Sequence, residues 1–276
     1  MKSSVQVSVC GCGWLGLPLA KSLQRAGFSV MGSKQSREGA GQLREIGIPA
    51  VVLQLPLQAQ ADAELSSFLA AEVLLINVPP GRRQMNAADF VEAIMSLSRA
   101  AKRSGCQRVI FISTTSVYGE IEGEVLETTI PEPTTESGKA HLYIEQQLRQ
   151  VWGDALVVLR LAGLIGPGRH PVKFLAGREA ISNGDAPVNL VHLDDVIAAV
   201  QKILVKWPAK TTLHLSAPQH PSRAQYYREM ARMAELPLPE FQAGGETGKW
   251  INAEQTAQAL GLRWLHTDLL SEPPEC

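Results

Sequence analysis

A glycine-rich run, Gly11–Gly16 (Gly-Cys-Gly-Trp-Leu-Gly), follows a short apolar segment and precedes leucines at helical spacing. Its glycines match three physical demands of a diphosphate site. Gly11 permits a tight turn, Gly13 lets the backbone approach phosphates, and Gly16 lets the next helix pack close to the strand. Phosphates are drawn to the N-terminus of that helix. We predict a dinucleotide site rather than a purely structural turn, with contacts from Gly11, Gly13, Trp14, Leu15 and Gly16.

The second apolar run ends in Gly32-Ser33-Lys34-Gln35-Ser36-Arg37, where sites for NAD usually place a carboxylate that holds the ribose hydroxyls. The hydroxyl of Ser33 and the cations of Lys34 and Arg37 suit a 2′-phosphate, onto which Arg37 can fork. NADP(H) is therefore expected as the preferred cofactor. NAD(H) is the alternative, because Glu38 is near enough in sequence to reach a ribose.

The fourth apolar run is followed by Asn77, Val78 and Pro79. Loops at this place in such folds pass their backbone over the cofactor, so these three residues are expected to touch it. Arg82 or Arg83 is expected either to meet a phosphate or to lie in a solvated loop.

Seven short apolar runs alternate with segments of helical length. Several runs are apolar at nearly every position, which is typical of strands buried on both faces of a parallel sheet. The alternation predicts an α/β fold, a Rossmann-type doubly wound parallel sheet. The predicted strands are Val5–Cys10, Val30–Met31, Ala50–Leu55, Val73–Val78, Val109–Ile112, Leu156–Leu159 and Leu213–Leu215.

The pattern loosens after about residue 161, where proline and glycine gather. We expect residues 1–165 to form the dinucleotide-binding Rossmann domain, with 190–216 returning to it. Residues 166–189 and 217–276 are expected to form a smaller C-terminal α/β substrate lobe. A helix is also predicted after Asn86, which can cap it, and before Gly105, which can close it.

Composition excludes several classes of function. Apolar residues make up 45% of the 276 residues and charged residues 19%, so the chain can bury a sizeable core. The 26 basic and 27 acidic side chains nearly cancel, so no nucleic acid partner is expected. No apolar run approaches the roughly 20 residues of a membrane span, and no membrane partner is expected. With no room for a signal peptide before the first strand and four scattered cysteines, we expect a cytoplasmic protein.

Two groups of potential metal ligands receive a structural interpretation. Cys10 and Cys12 flank the glycine-rich run without further ligands nearby in the sequence, and are interpreted as small residues in a crowded turn. His192, Asp194 and Asp195 are interpreted as architectural, with an aspartate capping the next helix. No metal site is predicted.

The segment Phe111–Gly119 (Phe-Ile-Ser-Thr-Thr-Ser-Val-Tyr-Gly) resembles the extended short-chain dehydrogenase/reductases, the NAD-dependent epimerase/dehydratase family. Arg160, Gly166–Gly168, Val191–Val196 and Gly261–Trp264 follow in the family's order. Within the family, the Gly-Trp-Leu-Gly loop and the Gly-Pro-Gly-Arg-His-Pro run resemble the bacterial YeeZ-like group. The resemblance covers nearly the whole chain. It implies a Rossmann domain with a small substrate lobe, a nicotinamide cofactor and a homodimer.

The resemblance also implies a chemistry. The family uses a Ser or Thr that orients the substrate oxygen and a Tyr-x-x-x-Lys pair whose ammonium lowers the pKa of the phenol. Thr114 matches the first of these, but Ser137 and His141 stand where the family has Tyr and Lys. A Ser137–His141 relay is one interpretation, because the two residues share a helix face and histidine titrates near neutrality. Loss of the family's proton transfer is the other.

Two functions follow from these observations. The first is an NAD(P)-dependent, epimerase/dehydratase-like oxidoreductase that acts on a small polar or sugar-nucleotide substrate, with Thr114, Ser137 and His141 as catalytic candidates. The second is a non-catalytic NADP(H)-binding sensor or regulatory protein. Thr114 and a full substrate lobe favour the enzyme, whereas the missing Tyr-x-x-x-Lys pair favours the sensor.

Overall fold

The computed structural model describes residues 5–57, 63–80 and 86–275. Arg82 and Arg83, predicted to approach a phosphate, lie outside the described residues. The strands are β1 (Val7–Cys10), β2 (Val30–Lys34), β3 (Ala50–Val52), β4 (Val73–Ile76), β5 (Arg108–Thr114), β6 (Glu124–Val125), β7 (Leu156–Leu161), β8 (Gly163–Ile165), β9 (Leu190–His192), β10 (Thr212–Leu215) and β11 (Trp250–Ile251). The α-helices are α1 (Gly16–Arg25), α2 (Arg37–Glu45), α3 (Ala63–Leu69), α4 (Ala87–Arg103), α5 (Glu136–Trp152), α6 (Val172–Leu175), α7 (Leu193–Val205), α8 (Arg223–Met233) and α9 (Glu254–Leu260).

Seven strands form one sheet in the order β10-β7-β5-β4-β1-β2-β3. Neighbouring strands run parallel, with Val7 of β1 opposite Val30 of β2 on one side and Val73 of β4 on the other. Each of these strands overlaps one of the seven apolar runs of the sequence, so the predicted α/β doubly wound sheet is confirmed. The strand order reverses between β1 and β4. In open parallel sheets, ligands bind beyond the carboxyl ends of the strands at such a reversal.

The chain forms two compact units. Unit 1 comprises Met1–Val117, Thr135–Leu159 and Ala209–Thr211, and unit 2 comprises Tyr118–Thr134, Arg160–Pro208 and Thr212–Cys276. This division differs from the predicted domains 1–165 and 166–189 with 217–276. Residues 118–134 belong to unit 2 because β6 pairs there with β11. Most of 190–216 also belongs to unit 2, where β9 pairs with β8, although β10 is a strand of the seven-stranded sheet.

The core of unit 1 explains why the sheet strands are so apolar. Leu74 and Ile76 of β4 and Phe111 of β5 are fully buried, and they belong to one cluster with Phe90 of α4 and Ile144 of α5. Each such side chain contributes about 1.5–3 kcal/mol when it is removed from water. The strands are therefore held in place by packing, and the loops at their carboxyl ends rest on a rigid base.

Polar side chains cap the N-termini of α2 and α4 in unit 1. The side chain of Ser36 accepts a hydrogen bond from the Gly39 N–H at the start of α2, and Asn86 accepts one from Asp89 at the start of α4. Asn86 is the predicted cap, and Gly105 follows the helix with a φ of +91°, as its predicted closing role requires. Among the described residues, no helix has the length and apolar character needed to cross a membrane.

Candidate functional site

The predicted cofactor residues and the catalytic candidate Thr114 lie at the carboxyl ends of four neighbouring strands of unit 1. The run Gly11–Gly16 follows β1, Ser33 and Lys34 end β2, Asn77 follows β4, and Thr114 ends β5. Because β1, β2, β4 and β5 are parallel and adjacent, these ends share one edge of the sheet. The edge includes the reversal between β1 and β4.

Two glycines of the loop are required by the fold itself. Gly11 has a φ of +92°, and a Cβ there would lie 2.3 Å from the Asn77 carbonyl oxygen. A Cβ on Gly16 would lie 2.2 Å from the Gly11 carbonyl oxygen. The Asn77 side chain closes the arrangement, since its Nδ2 donates to that same Gly11 carbonyl at 3.1 Å. A side chain at 11 would therefore force the β1 and β4 loops apart, and one at 16 would force the start of α1 away from the β1 loop.

Gly13 has a different reason to be glycine. It is exposed, its φ is not in the left-handed region, and a Cβ there would meet no protein atom within 4 Å. The next helix begins without a side-chain cap, because Leu15 offers none, and its first turn contains no acidic residue. In the first turn the Leu17 N–H donates to the Gly13 carbonyl at 3.0 Å and Pro18 has no N–H. What the loop offers a diphosphate is therefore the positive end of the α1 dipole beside the exposed Gly13. The side chain of Leu15 is buried, so only its backbone is available to a ligand.

Ser33 holds the loop Gly11–Gly16 by accepting two hydrogen bonds from it. Its side chain is buried, and its Oγ accepts a hydrogen bond from the Gly11 N–H at 3.0 Å. Its carbonyl oxygen accepts a second bond from the Cys12 N–H at 3.1 Å. A neutral hydroxyl thus occupies the place where Rossmann sites for NAD usually carry a carboxylate, and it holds the loop in position.

Two cationic side chains, Lys34 and Arg37, flank the turn that follows β2. Lys34 is half-buried, and Arg37 is exposed as the first residue of α2. The N-terminus of α2, which is the positive end of the helix dipole, lies at the same turn. Glu38 lies in the same first turn, where its carboxylate accepts a weak bond from Gln42 at 3.5 Å. The balance of charge at this turn favours an anionic group.

The end of β5 presents two pairs of polar side chains. The Ser113 hydroxyl donates to Glu145 of α5 at 2.6 Å, and both residues are buried. The Thr114 hydroxyl donates to the Ser116 Oγ at 3.0 Å and accepts from the Ser116 N–H at 3.1 Å. Ser113 and Glu145 therefore anchor α5 to the sheet, while Thr114 and Ser116 form a hydroxyl pair next to the cofactor edge.

The start of α5 holds the residues that replace the Tyr-x-x-x-Lys pair. The structure brings Ser137 and His141 together, with the Ser137 Oγ 3.5 Å from His141 Nδ1. The same nitrogen lies 2.8 Å from the Ser137 carbonyl oxygen, to which it must donate. Nδ1 therefore carries a proton and cannot accept one from the hydroxyl. Lys139 is exposed and pairs with Glu136 at 2.9 Å.

His141 is a buried residue of the core. Its ring lies 5.1 Å from that of Phe90 and 6.1 Å from that of Phe111, measured between centroids. Burial lowers the pKa of His141, with smaller opposing effects from the Ser137 carbonyl and the Glu145 charge. The imidazole is consequently kept neutral at physiological pH.

Tertiary contacts reveal two polar residues that the sequence analysis did not select, Glu145 and Ser116. Glu145 lies four residues beyond His141 and eight beyond Ser137, which places all three on one face of α5. That spacing was the available signal for Glu145. Ser116 stood inside the Ser/Thr-rich motif, but only the turn after β5 brings its hydroxyl to Thr114.

The two cysteines of the loop are buried thiols. A Cβ on Gly32 would lie 2.7 Å from Cys12 Sγ, so this sulfur fills the space that the glycine leaves. Burial raises the pKa of Cys10 to about 12 and also raises that of Cys12. Both thiols are therefore protonated near neutrality, in keeping with their interpretation as packing residues.

The predicted aspartate cap of α7 is wrong. The side chain of His192 caps this helix, accepting a bond from the Asp194 N–H at 3.1 Å. Asp195 is fully buried instead, where its carboxylate accepts bonds from the N–H groups of Leu265 and His266. The two aspartates are the second and third residues of the helix, past the capping position, which His192 occupies as the residue before the helix.

Comparison with known proteins decides the family. The model of the NAD dependent epimerase/dehydratase family matches residues 8–213. The chain belongs to this family. It is 37% identical over 273 residues to Protein YeeZ of Escherichia coli (strain K12), covering 98% of this chain and 99% of that protein. The resemblance drawn from the sequence is therefore confirmed.

Solved structures agree with the family on the fold. A putative NAD-dependent epimerase/dehydratase from Methylobacillus flagellatus is 25% identical with a TM-score of 0.75, covering 98% of this chain and 96% of that one. The UDP-glucuronic acid 4-epimerase of Bacillus cereus, solved with NAD, is 18% identical with a TM-score of 0.76, covering 97% and 95%. As a member of the epimerase/dehydratase family, the chain binds a nicotinamide cofactor and has an oxidoreductase- or epimerase-like function.

Proposed function

We propose that this epimerase/dehydratase-family protein is an NADP(H)-dependent oxidoreductase acting on a small polar or sugar-nucleotide substrate. The observation that carries the proposal is the open space at Gly13. Neither its φ nor any neighbour within 4 Å demands a glycine there, yet a Cβ would enter the space faced by the uncapped start of α1. A diphosphate in that space accounts for the glycine.

The preference for NADP(H) rests on the turn after β2. A buried neutral hydroxyl, Ser33, replaces the carboxylate that would repel a 2′-phosphate. Lys34 and Arg37 flank the position, and Arg37 is exposed at the positive end of α2. A guanidinium pairs with phosphate through two parallel N–H bonds, each assisted by charge.

The hydroxyl pair at the end of β5 supports a role in orienting the substrate. A bound nicotinamide supplies a hydride donor or acceptor at this edge. Thr114 accepts the Ser116 N–H and its hydroxyl lies 3.0 Å from the Ser116 Oγ, so its orientation is set before a ligand arrives. A preset hydroxyl can hold a substrate oxygen by a hydrogen bond without reorganising. The Bacillus cereus relative acts on a UDP-sugar acid, which suggests sugar nucleotides as the first substrates to try.

A non-catalytic NADP(H) sensor is the second candidate. The start of α5 favours it, because His141 is buried with its Nδ1 donating to a carbonyl and Lys139 is held by Glu136. Neither residue reproduces an ammonium beside a phenol. On this view the cofactor site is retained and proton transfer is lost.

Calorimetric titration with NADPH and NADH tests the cofactor. Arg37→Ala is expected to weaken NADPH binding by about 10- to 100-fold, the value of a hydrogen bond between charged groups, and to leave NADH binding unchanged. Arg25→Ala is the matched control, since it removes the same charge at the far end of α1. Equal losses for both nucleotides in Arg37→Ala would contradict the 2′-phosphate assignment.

Turnover separates the enzyme from the sensor. The NADP⁺-loaded protein is incubated with a panel of UDP-hexoses and UDP-glucuronic acid, and formation of reduced nicotinamide is followed by absorbance. Reduction that falls at least tenfold in Thr114→Val supports the oxidoreductase. Tight nucleotide binding without reduction by any member of the panel supports the sensor.

A further inference from the structure

Unit 2 contains a cavity of about 260 Å³ that shares no residue with the nucleotide edge of unit 1. Its lining is rich in groups that bind cations. Three histidines and two glutamates contribute to it: His170, His192, His266, Glu272 and Glu275. Side chains from β9 and from the segment after α9 meet at this cavity, although 74 positions separate His192 from His266 in the sequence.

Two of these histidines, His192 and His266, converge on the carboxylate of Asp194, which is not itself a lining residue. Oδ2 of Asp194 lies 3.7 Å from His192 Nδ1 and 3.6 Å from His266 Nε2. One ligand atom from each of the three residues lies within 4.8 Å of the others. Donor atoms on a tetrahedral zinc ion, with bonds of about 2.0–2.2 Å, lie about 3.4 Å apart. The two distances from Asp194 Oδ2 are slightly larger than this and the ligand atoms of the set all lie within 4.8 Å of one another, so the side chains must move inward to bind an ion.

Hydrogen bonding fixes which nitrogen of His266 carries a lone pair. Nδ1 lies 2.5 Å from Glu272 Oε2, which can only accept, so Nδ1 carries the hydrogen in the neutral ring. Nε2 then presents a lone pair to Asp194. A carboxylate that accepts from the outer nitrogen of a histidine is a common second partner in metal sites, where it orients the ring and raises its basicity.

His192 also has an acceptor nitrogen on the side of its ring that faces Asp194. His192 Nδ1 accepts the Asp194 N–H, so its lone pair lies on the Asp194 side of the ring. Three acceptors, two nitrogen atoms and one carboxylate oxygen, therefore face one another. The Asp194 N–H satisfies the His192 nitrogen in this structure, whereas the Asp194 carboxylate and His266 Nε2 both present lone pairs, which a bound cation would accept.

We propose that His192, Asp194 and His266 bind a divalent first-row transition-metal ion such as Zn²⁺. Glu272 orients His266, and the remaining coordination positions face the cavity. Two imidazoles and one carboxylate suit zinc and its neighbours better than calcium or magnesium, which prefer oxygen ligands. Binding replaces the cap bond of His192 with a metal bond. The Asp194 side chain is 55% exposed, which lets an ion enter from solvent.

A proton is the rival cation. His266 in its charged form would donate to both Asp194 and Glu272, and the cluster would then be a network of ion pairs with no affinity for metal. The two alternatives differ in whether a metal ion binds with one-to-one stoichiometry.

The experiment uses the full-length, untagged protein after dialysis against a chelator. Zn²⁺ is titrated by calorimetry, and Co²⁺ is titrated by visible absorption, which reports ligand type and coordination. We expect one ion per chain and Co²⁺ bands typical of nitrogen and oxygen ligands in a site of low coordination number. His266→Gln and Asp194→Asn are expected to abolish stoichiometric binding while retaining the far-ultraviolet circular dichroism of the fold.

Matched variants exclude adventitious binding. His220→Gln removes a histidine of unit 2 whose Nδ1 donates to the Val188 carbonyl, and it should leave metal affinity unchanged. Glu272→Gln should weaken binding by about 10- to 100-fold without changing the stoichiometry, as expected for a group that acts through a ligand. Absence of one-to-one binding in the wild-type protein, or equal affinity in His266→Gln and His220→Gln, would overturn the proposal.

Discussion

The glycine-rich loop and the start of α5 belong to the same unit, but they preserve the family pattern to different degrees. The loop keeps each glycine in a position where geometry or an open ligand space accounts for it. The start of α5 has Ser137 and His141 in place of the tyrosine and lysine, with His141 turned into the core. The chain therefore retains the family pattern for nucleotide binding where it departs from the pattern for proton transfer.

The difference shows how independent the two tasks are physically. The loop depends on backbone N–H groups and on the absence of side chains, so few substitutions are compatible with it. Proton transfer depends on the pKa of particular side chains, which neighbouring residues can change without disturbing the fold. A change that removes proton transfer can therefore leave nucleotide binding intact.

The largest effect is expected for nucleotide binding in Gly13→Val. The valine would occupy the space assigned to the diphosphate, so NADPH affinity should fall at least about 100-fold while the free energy of unfolding changes by less than about 0.5 kcal/mol. Ser67→Val adds similar bulk at an exposed position of α3 and should leave binding unchanged. Calorimetry and urea denaturation measure the two quantities. Wild-type affinity in Gly13→Val would place the phosphates elsewhere.

Gly11→Ala should reduce stability as well as binding. A Cβ at a φ of +92° and 2.3 Å from the Asn77 carbonyl oxygen should lower the free energy of unfolding by about 3 kcal/mol. Gly41→Ala is the control, because Gly41 lies inside α2 with no atom within 4 Å of a Cβ. There alanine should stabilise the protein by up to about 1 kcal/mol. Opposite signs in urea denaturation are the expected result.

Ser113→Ala tests the bond that anchors α5 to the sheet. Removal of the hydroxyl takes a donor from the buried Glu145 carboxylate and should lower the free energy of unfolding by about 2 kcal/mol. Thr114→Ala, one residue along and less buried, should lower it by about 0.5 kcal/mol or less. Similar losses in the two variants would show that the Ser113–Glu145 bond does not stabilise the protein.

The pH dependence of the free energy of unfolding tests whether burial lowers the pKa of His141. Burial lowers its folded pKa below the 6.5 of an ordinary histidine, so the unfolded chain binds more protons as pH falls below about 6.5. Stability should therefore fall on acidification, and His141→Asn should reduce the slope by up to about 1.4 kcal/mol per pH unit. Lys139→Gln, which changes an exposed charge on the same turn, should leave the slope unchanged. Denaturation at several values between pH 5 and 7 measures it.

Much of the fold followed from local sequence patterns. All seven apolar runs became strands of the sheet, and Asn86 and Gly105 mark the ends of α4 as predicted. A strand that is buried on both faces requires a short continuous apolar segment, and a helix cap involves residues only three or four positions apart. Both features can therefore be recognised from neighbouring residues. For the same reason the loop Gly11–Gly16 could be recognised, since its strand and helix are adjacent in the chain.

The remaining features depended on contacts between distant residues. Ser33 is 22 positions from Gly11 and Glu145 is 32 from Ser113, so their hydrogen bonds leave no local pattern. His141 reads as one polar residue on a helix, and only the packing of α5 against Phe90 makes it a neutral core group. The cluster of His192, Asp194 and His266 likewise forms where β9 and the segment after α9 meet. Periodicity and spacing along the chain determined the strands and the nucleotide loop, whereas the environment that sets a side chain's charge and partners was decided by the tertiary structure.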